Sequence, residues 1–215
     1  MEFLTTFLDV VLHLDRHLQE LVANYGSWIY GILFLIIFCE TGLVLTPFLP
    51  GDSLLFVAGT VAAAGDMYVH GLFAALAAAS FLGDNTNYWI GRFVGPRVFR
   101  REKSLLFNPE HLTRTQRFYD RFGAKTVFLA RFVPILRTFA PFVAGIGRMR
   151  YPRFVFYSFS GSIVWVGLLT YAGFFFGNVP LVKENLSFVI IIIVLISVSP
   201  GVIEYLRHRA RRQNP

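Results

Sequence analysis

Charge is what this sequence has least of. Asp, Glu, Lys and Arg make up 15% of its 215 residues, where a soluble domain carries roughly a quarter. That shortage excludes a soluble enzyme, a disordered tail and a nucleic-acid reader. Cysteine is nearly absent: the single Cys39 lies in an apolar run, can form no intrachain disulfide and has no ligand partner at metal spacing. The histidines, at positions 13, 17, 70, 111 and 208, are scattered, and none falls inside a long apolar stretch. A membrane phosphatase using a His nucleophile therefore has nothing to work with. No metal cluster, nucleotide loop or cofactor motif is visible, and neither an enzyme nor a cofactor is expected.

What the chain has is apolar residue, 55% of the total, arranged in long blocks with a mean hydropathy of +0.56. At this length one domain is the expectation, and the composition makes it an all-α polytopic membrane protein. The net charge of +7 fits that reading. Seventeen of the twenty basic residues are Arg, concentrated in residues 92–153 and 207–212. Basic stretches beside apolar spans mark cytoplasmic loops, not a nucleic-acid surface.

Residues 1–24 carry Glu2, Asp9, Asp15 and Glu20 against a lone Arg16, the wrong charge for a signal peptide. Leu4, Phe7, Leu8, Val11, Leu14, Leu18 and Leu21 recur at helical spacing, which predicts an amphipathic helix on the membrane surface. A single membrane domain over 25–206 and a basic cytoplasmic tail over 207–215 complete the chain. Spans are expected at Ser27–Thr46, Gly71–Gly91, Phe154–Gly177 and Leu186–Leu206, each near the roughly 20 residues a bilayer requires.

Two further apolar stretches do not suit simple spans. One, over residues 47–65, is broken by Pro47, Pro50 and Gly51; the other, over 126–147, contains Pro134 and Pro141. The loop 92–125 holds nine Lys or Arg against three acids, and Arg148–Arg153 holds three Arg. If both are cytoplasmic, the segment between them enters and returns on one side. The first half then mirrors it, with 47–65 dipping in from outside and the C-terminus ending in the cytoplasm. Paired segments interrupted by Gly and Pro point to a site at mid-membrane between inverted repeats. Phe56-Val57-Ala58-Gly59 recurs as Phe142-Val143-Ala144-Gly145, although four matches in a chain rich in these residues carry little weight alone. Gly91-x-x-x-Gly95 and Gly173-x-x-x-Gly177 read as helix packing.

Five ionisable residues fall in the expected membrane segments: Glu40, Asp52, Asp84, Arg131 and Arg137. Each costs about 2.5–3.5 kcal/mol at the centre of a membrane helix. Left unpaired, the five would cost on the order of 15 kcal/mol, more than a typical folding stability. The acids lie in the first half and the arginines in the second, so pairing between halves is the economical solution. Two guanidiniums beside broken-helix backbone suit a phosphate. Glu40 and Asp52 are candidate proton carriers, because a poorly solvated carboxyl takes up a proton near neutral pH; Asp52 equally suits a helix N-cap. Asp84, with Asn87 and Tyr88 one turn on, suits either ion pairing or plain helix packing.

Three stretches resemble the DedA family of bacterial inner-membrane proteins, within the wider VTT group that shares its membrane domain. They run from Phe38 through Glu40-Thr41-Gly42 and Pro47 to Pro50-Gly51-Asp52, from Gly83-Asp84 to Tyr88 and Gly91-Arg92, and from Ala130-Arg131 through Pro134, Arg137 and Pro141 to Gly145. The likeness continues to Glu204 and covers nearly the whole chain. It implies two facing re-entrant helices, a role in envelope maintenance, and functional use of Glu40, Asp52, Arg131 and Arg137. Members of the family are implicated in returning undecaprenyl phosphate across the inner membrane or in proton-dependent stress tolerance, and eukaryotic relatives scramble phospholipids.

The expectation is a translocase for an anionic lipid, with Arg131 and Arg137 on the headgroup phosphate and Glu40, Asp52 and Asp84 pairing or carrying protons. Its partners would be anionic membrane lipids and protons, with no nucleic acid, and the sequence leaves a homo-oligomer open. A proton-coupled cation antiporter and a non-transporting scaffold are the alternatives.

Overall fold

A computed structural model describes Leu18, residues 21–22, 24–43, 51–98 and 123–180, and Phe188, Val189 and Ile192. Most of the expected surface helix, Pro47 and Pro50, most of the basic loop, nearly all of the last expected span and the tail lie outside the described residues. Among the described residues every regular element is helical. Six helices are delimited there: α1 Trp28–Gly42, α2 Gly51–Ala63, α3 Val69–Val98, α4 Lys125–Ala130, α5 Pro134–Ile146 and α6 Tyr151–Phe176.

Among the described residues only α6 is both long and apolar enough to cross a bilayer by length and composition; α1, α2 and Leu136–Ile146 are apolar but shorter. The third helix is long, at about 45 Å, but carries Asp84 and Arg92. It does not stop at Arg92, where the basic loop was expected to begin, but continues to Val98. A shift in charge marks where a membrane should end and not where a helix stops: this one runs on through Gly95 and Pro96, both poor helix formers.

The core is largely apolar, but large apolar side chains also face outward and hydroxyls inward. On α6, Phe156, Phe159, Leu168 and Phe175 are exposed while Ser158, Ser162 and Thr170 are buried. Apolar residues outside and hydroxyls inside are what a hydrocarbon solvent selects.

The chain divides into two compact units. One comprises residues 1–35, 48–77 and 166–215; the other comprises 36–47 and 78–165. Each contains one copy of the Phe-Val-Ala-Gly tetrad, and each tetrad is packed against a glycine of a long helix. In the first unit a Cβ on Gly59 would collide with the Thr170 carbonyl, and one on Gly173 with the Phe56 carbonyl. In the second, a Cβ on Gly145 would collide with the Tyr88 carbonyl, and one on Gly91 with the Phe142 carbonyl. Both pairs run antiparallel, and both put backbone on backbone, as small residues allow where helices must approach closely. The two sequence features that looked generic, the tetrad echo and the spaced glycines, are thus each other's partners, exchanged between the halves of the chain.

The segment over 126–147 is a helix, a break and a second helix. Arg131, Phe132 and Val133 close the end of α4 through N–H bonds to the carbonyls of Phe128, Leu129 and Ala130 at 3.0–3.3 Å. Val133 is extended, at φ −120° and ψ 112°, as a residue before proline prefers. Pro134 then occupies the first position of α5, where its missing N–H costs nothing. Pro141 does not break the chain as expected: it is buried inside α5, and the helix continues through it to Ile146. One proline at a helix start is sufficient for the break.

Gly91→Ala and Gly173→Ala are each expected to destabilise the protein by about 2–3 kcal/mol through backbone overpacking. Gly31→Ala, where a Cβ meets nothing within 4 Å, should be neutral or stabilising by up to about 1 kcal/mol. Thermal unfolding of the three variants in one detergent checks this.

Candidate functional site: two buried ion pairs at a helix break

The break between α4 and α5 places two arginines on either side of it. Arg131 caps the end of α4. Arg137 sits in the first turns of α5, its N–H bonded to the Val133 carbonyl at 2.9 Å. Both are buried, with side chains 2% and 4% exposed, so each must be neutralised within the protein.

Arg131 forms an ion pair with Asp84 of α3 and also donates to the Ser80 hydroxyl one turn away. Asp84 is held in turn by Ser158 of α6, whose hydroxyl donates to the same carboxylate oxygen at 2.6 Å. Arg137 pairs with Glu40 near the end of α1. Both pairs join an acid from the first half of the sequence to an arginine from the second. All four residues belong to the same compact unit.

Small residues and one amide bring the acids into place. A Cβ on Gly83 would collide with the Thr41 hydroxyl, and one on Gly42 would lie 3.3 Å from the Gly83 Cα, so α1 and α3 cross at these glycines. The fully buried Asn87 donates both amide hydrogens, to the carbonyl of Thr41 at 3.1 Å and to that of Thr138 at 2.7 Å. Those carbonyls belong to the residues that follow Glu40 and Arg137. The Asn87 amide therefore ties the backbones of both members of that pair to α3.

The tryptophan of α6 supplies a face to both cations. The Arg137 and Arg131 guanidinium carbons lie 4.5 Å and 5.4 Å from the centroid of the Trp165 ring. Ser80, Ser158 and Trp165 were not picked out by sequence reasoning: a Ser or a Trp in an apolar span is common and carries no signal without the arginine it serves. Asp52 lies in the first turn of α2, in the other unit, where a carboxylate is favoured by the helix N-terminus. It is the second residue of that helix and not its N-cap. The sequence left open which acid pairs with which arginine; among the described residues Asp84 pairs with Arg131 and Glu40 with Arg137. Gly51 opens α2.

Comparison with known proteins meets this geometry at the family level. The VTT domain model matches residues 49–175. Protein DedA of Escherichia coli K12 is 52% identical over 211 residues, which is 97% of this chain and 96% of that protein. The chain belongs to the DedA family. A second relative, an uncharacterized membrane protein of Mycobacterium tuberculosis H37Rv, is 41% identical over 194 residues, 89% of this chain and 85% of its own length. Inner membrane protein YqjA of Escherichia coli K12 is 33% identical over 184 residues, 84% of this chain and 81% of that protein. No solved structure matches. This DedA-family chain is a membrane protein, and its VTT domain takes in Asp52, Asp84, Arg131, Arg137 and Trp165, while Glu40 precedes the matched segment.

In this DedA-family protein, breaking the second pair from one side alone, by Glu40→Gln or Arg137→Gln, is expected to cost about 3–5 kcal/mol, because a buried charge loses its counterion. The double substitution Glu40→Leu with Arg137→Leu should recover most of that loss. A double-mutant cycle on thermal or denaturant unfolding measures both terms.

Proposed function

We propose that the protein is an inner-membrane translocase for a lipid with an anionic phosphate headgroup, an undecaprenyl phosphate or a phospholipid, and that it is coupled to protons and serves the maintenance of the cell envelope. The observation that carries this reading is the pair of buried arginines flanking a helix break, each held by a carboxylate. A guanidinium binds carboxylate and phosphate with the same edge, so a phosphate can take the place that a carboxylate holds. The carboxylate that is displaced cannot remain charged in a dry site and takes up a proton. Substrate binding and proton uptake are then one event.

The broken segment over 126–147 acts in this reading as a re-entrant element, and the segment over 47–65, with Asp52 in its helix, as its counterpart. The basic loop and the Arg-rich tail face the cytoplasm, where the charge bias of the sequence places them. Inner membrane residence is also what the name of the relative YqjA states of that protein.

The test follows labelled undecaprenyl phosphate between leaflets of liposomes that hold the purified protein, with and without a pH gradient. Movement should require the protein, respond to the gradient, and disappear with Arg137→Ala. Full movement by that variant, present at normal levels, overturns the reading. Exchanging the pair, Glu40→Arg with Arg137→Glu, separates transport from scaffolding. A pair that only holds the fold should tolerate the exchange in both stability and function, whereas a pair that must open to phosphate should keep the fold and lose transport.

A further inference from the structure

Three residues of α6 face the arginine pair at helical spacing. Ser158 holds Asp84. At Gly161 an added Cβ would lie 3.2 Å from the Arg131 Cδ, so its missing side chain leaves room for the arginine stem. Trp165, only 3% exposed, lies within 5.4 Å of both guanidinium carbons. Positions 158, 161 and 165 are separated by three and four residues and share one side of the helix.

The chemistry of the guanidinium gives Trp165 a role distinct from that of the acids. Its N–H donors lie at the edge of a plane, where carboxylate and phosphate bind. Its faces are left for a ring, and indole is the best of the aromatic faces for a cation. Contact with the ring and contact with an anion therefore do not compete. When Glu40 or Asp84 gives way to a phosphate, the ring contact is the one both arginines keep.

Resting on the translocase reading, we infer that Trp165 is the positioning residue of the site, whose indole holds Arg131 and Arg137 in place while their carboxylates are exchanged for phosphate. Without it, each exchange would release a long cationic side chain in an apolar interior, and two ordered donors would have to be reassembled for every substrate.

The test uses the full chain with Trp28→Phe and Trp89→Phe, which leaves Trp165 as the one tryptophan of three. Its emission reports the contact without any lipid: Arg137→Gln and Arg131→Gln should each shift the emission maximum, because a charge beside the indole is removed. An unshifted maximum in both variants overturns the inference. In liposomes, Trp165→Phe should keep phosphate-lipid movement within about threefold of the parent, and Trp165→Leu should lower it by about tenfold or more. The two variants should unfold at similar temperatures. Equal loss in both, or no loss with leucine, shows a space-filling side chain and overturns the inference. A parent protein that moves no phosphate lipid defeats the translocase reading alone, and the emission shifts then decide whether Trp165 holds the arginines.

Discussion

Four charges buried among apolar helices set the terms for everything around them. A lone guanidinium or carboxylate in such a place costs several kcal/mol, so the chain must deliver each acid to an arginine across long sequence separations. Glu40 and Arg137 are separated by 97 residues and Asp84 and Arg131 by 47. Meeting those partners requires helices to approach more closely than large side chains permit. The glycines at 42, 83, 91 and 145 supply that approach in the unit that holds the pairs. The helix break at Val133-Pro134 lets two arginines six residues apart approach their acids from separate helices. In the translocase reading proposed above, these two pairs are the interactions that a phosphate and protons exchange.

The two compact units share a packing device and differ in chemistry. Each sets a Phe-Val-Ala-Gly tetrad against a glycine of a long helix, backbone on backbone. In one unit the buried polar residues include Glu40, Asp84, Asn87, Arg131 and Arg137; in the other, Ser53, Thr60 and Thr170 are buried and Asp52 is half-buried. Among the described residues the paired-charge site lies in one of the two units.

Much of this was legible in the sequence because hydrocarbon imposes simple rules. Span Phe154–Gly177 is observed as Tyr151–Phe176, and the proline at 134 marks a true helix start. The requirement that the intramembrane charges pair across the halves followed from cost alone. The particular partners did not, because spacing along a chain does not reveal which helix crosses which; the pairing of Asp84 with Arg131 and of Glu40 with Arg137 emerged only from the fold. Pro141 lacks an N–H and suggests a second break, yet α5 continues through it to Ile146. Trp165 was invisible for a different reason. Its role depends on two cations that tertiary structure alone brings to its face.

In the translocase reading, phosphate takes the place of carboxylate on the arginines. Two arginines balanced by two carboxylates are neutral, and a phosphate monoester brings roughly 1.5 to 2 negative charges. If it displaces the acids, they must take up a matching number of protons. The decisive measurement is calorimetric titration of the detergent-solubilised protein with a soluble short-chain phosphate monoester lipid, repeated in two buffers of different ionisation enthalpy. Uptake of about one to two protons per bound lipid is expected, abolished by Glu40→Gln with Asp84→Asn. Tight binding with no proton uptake in the unmodified protein would contradict that reading.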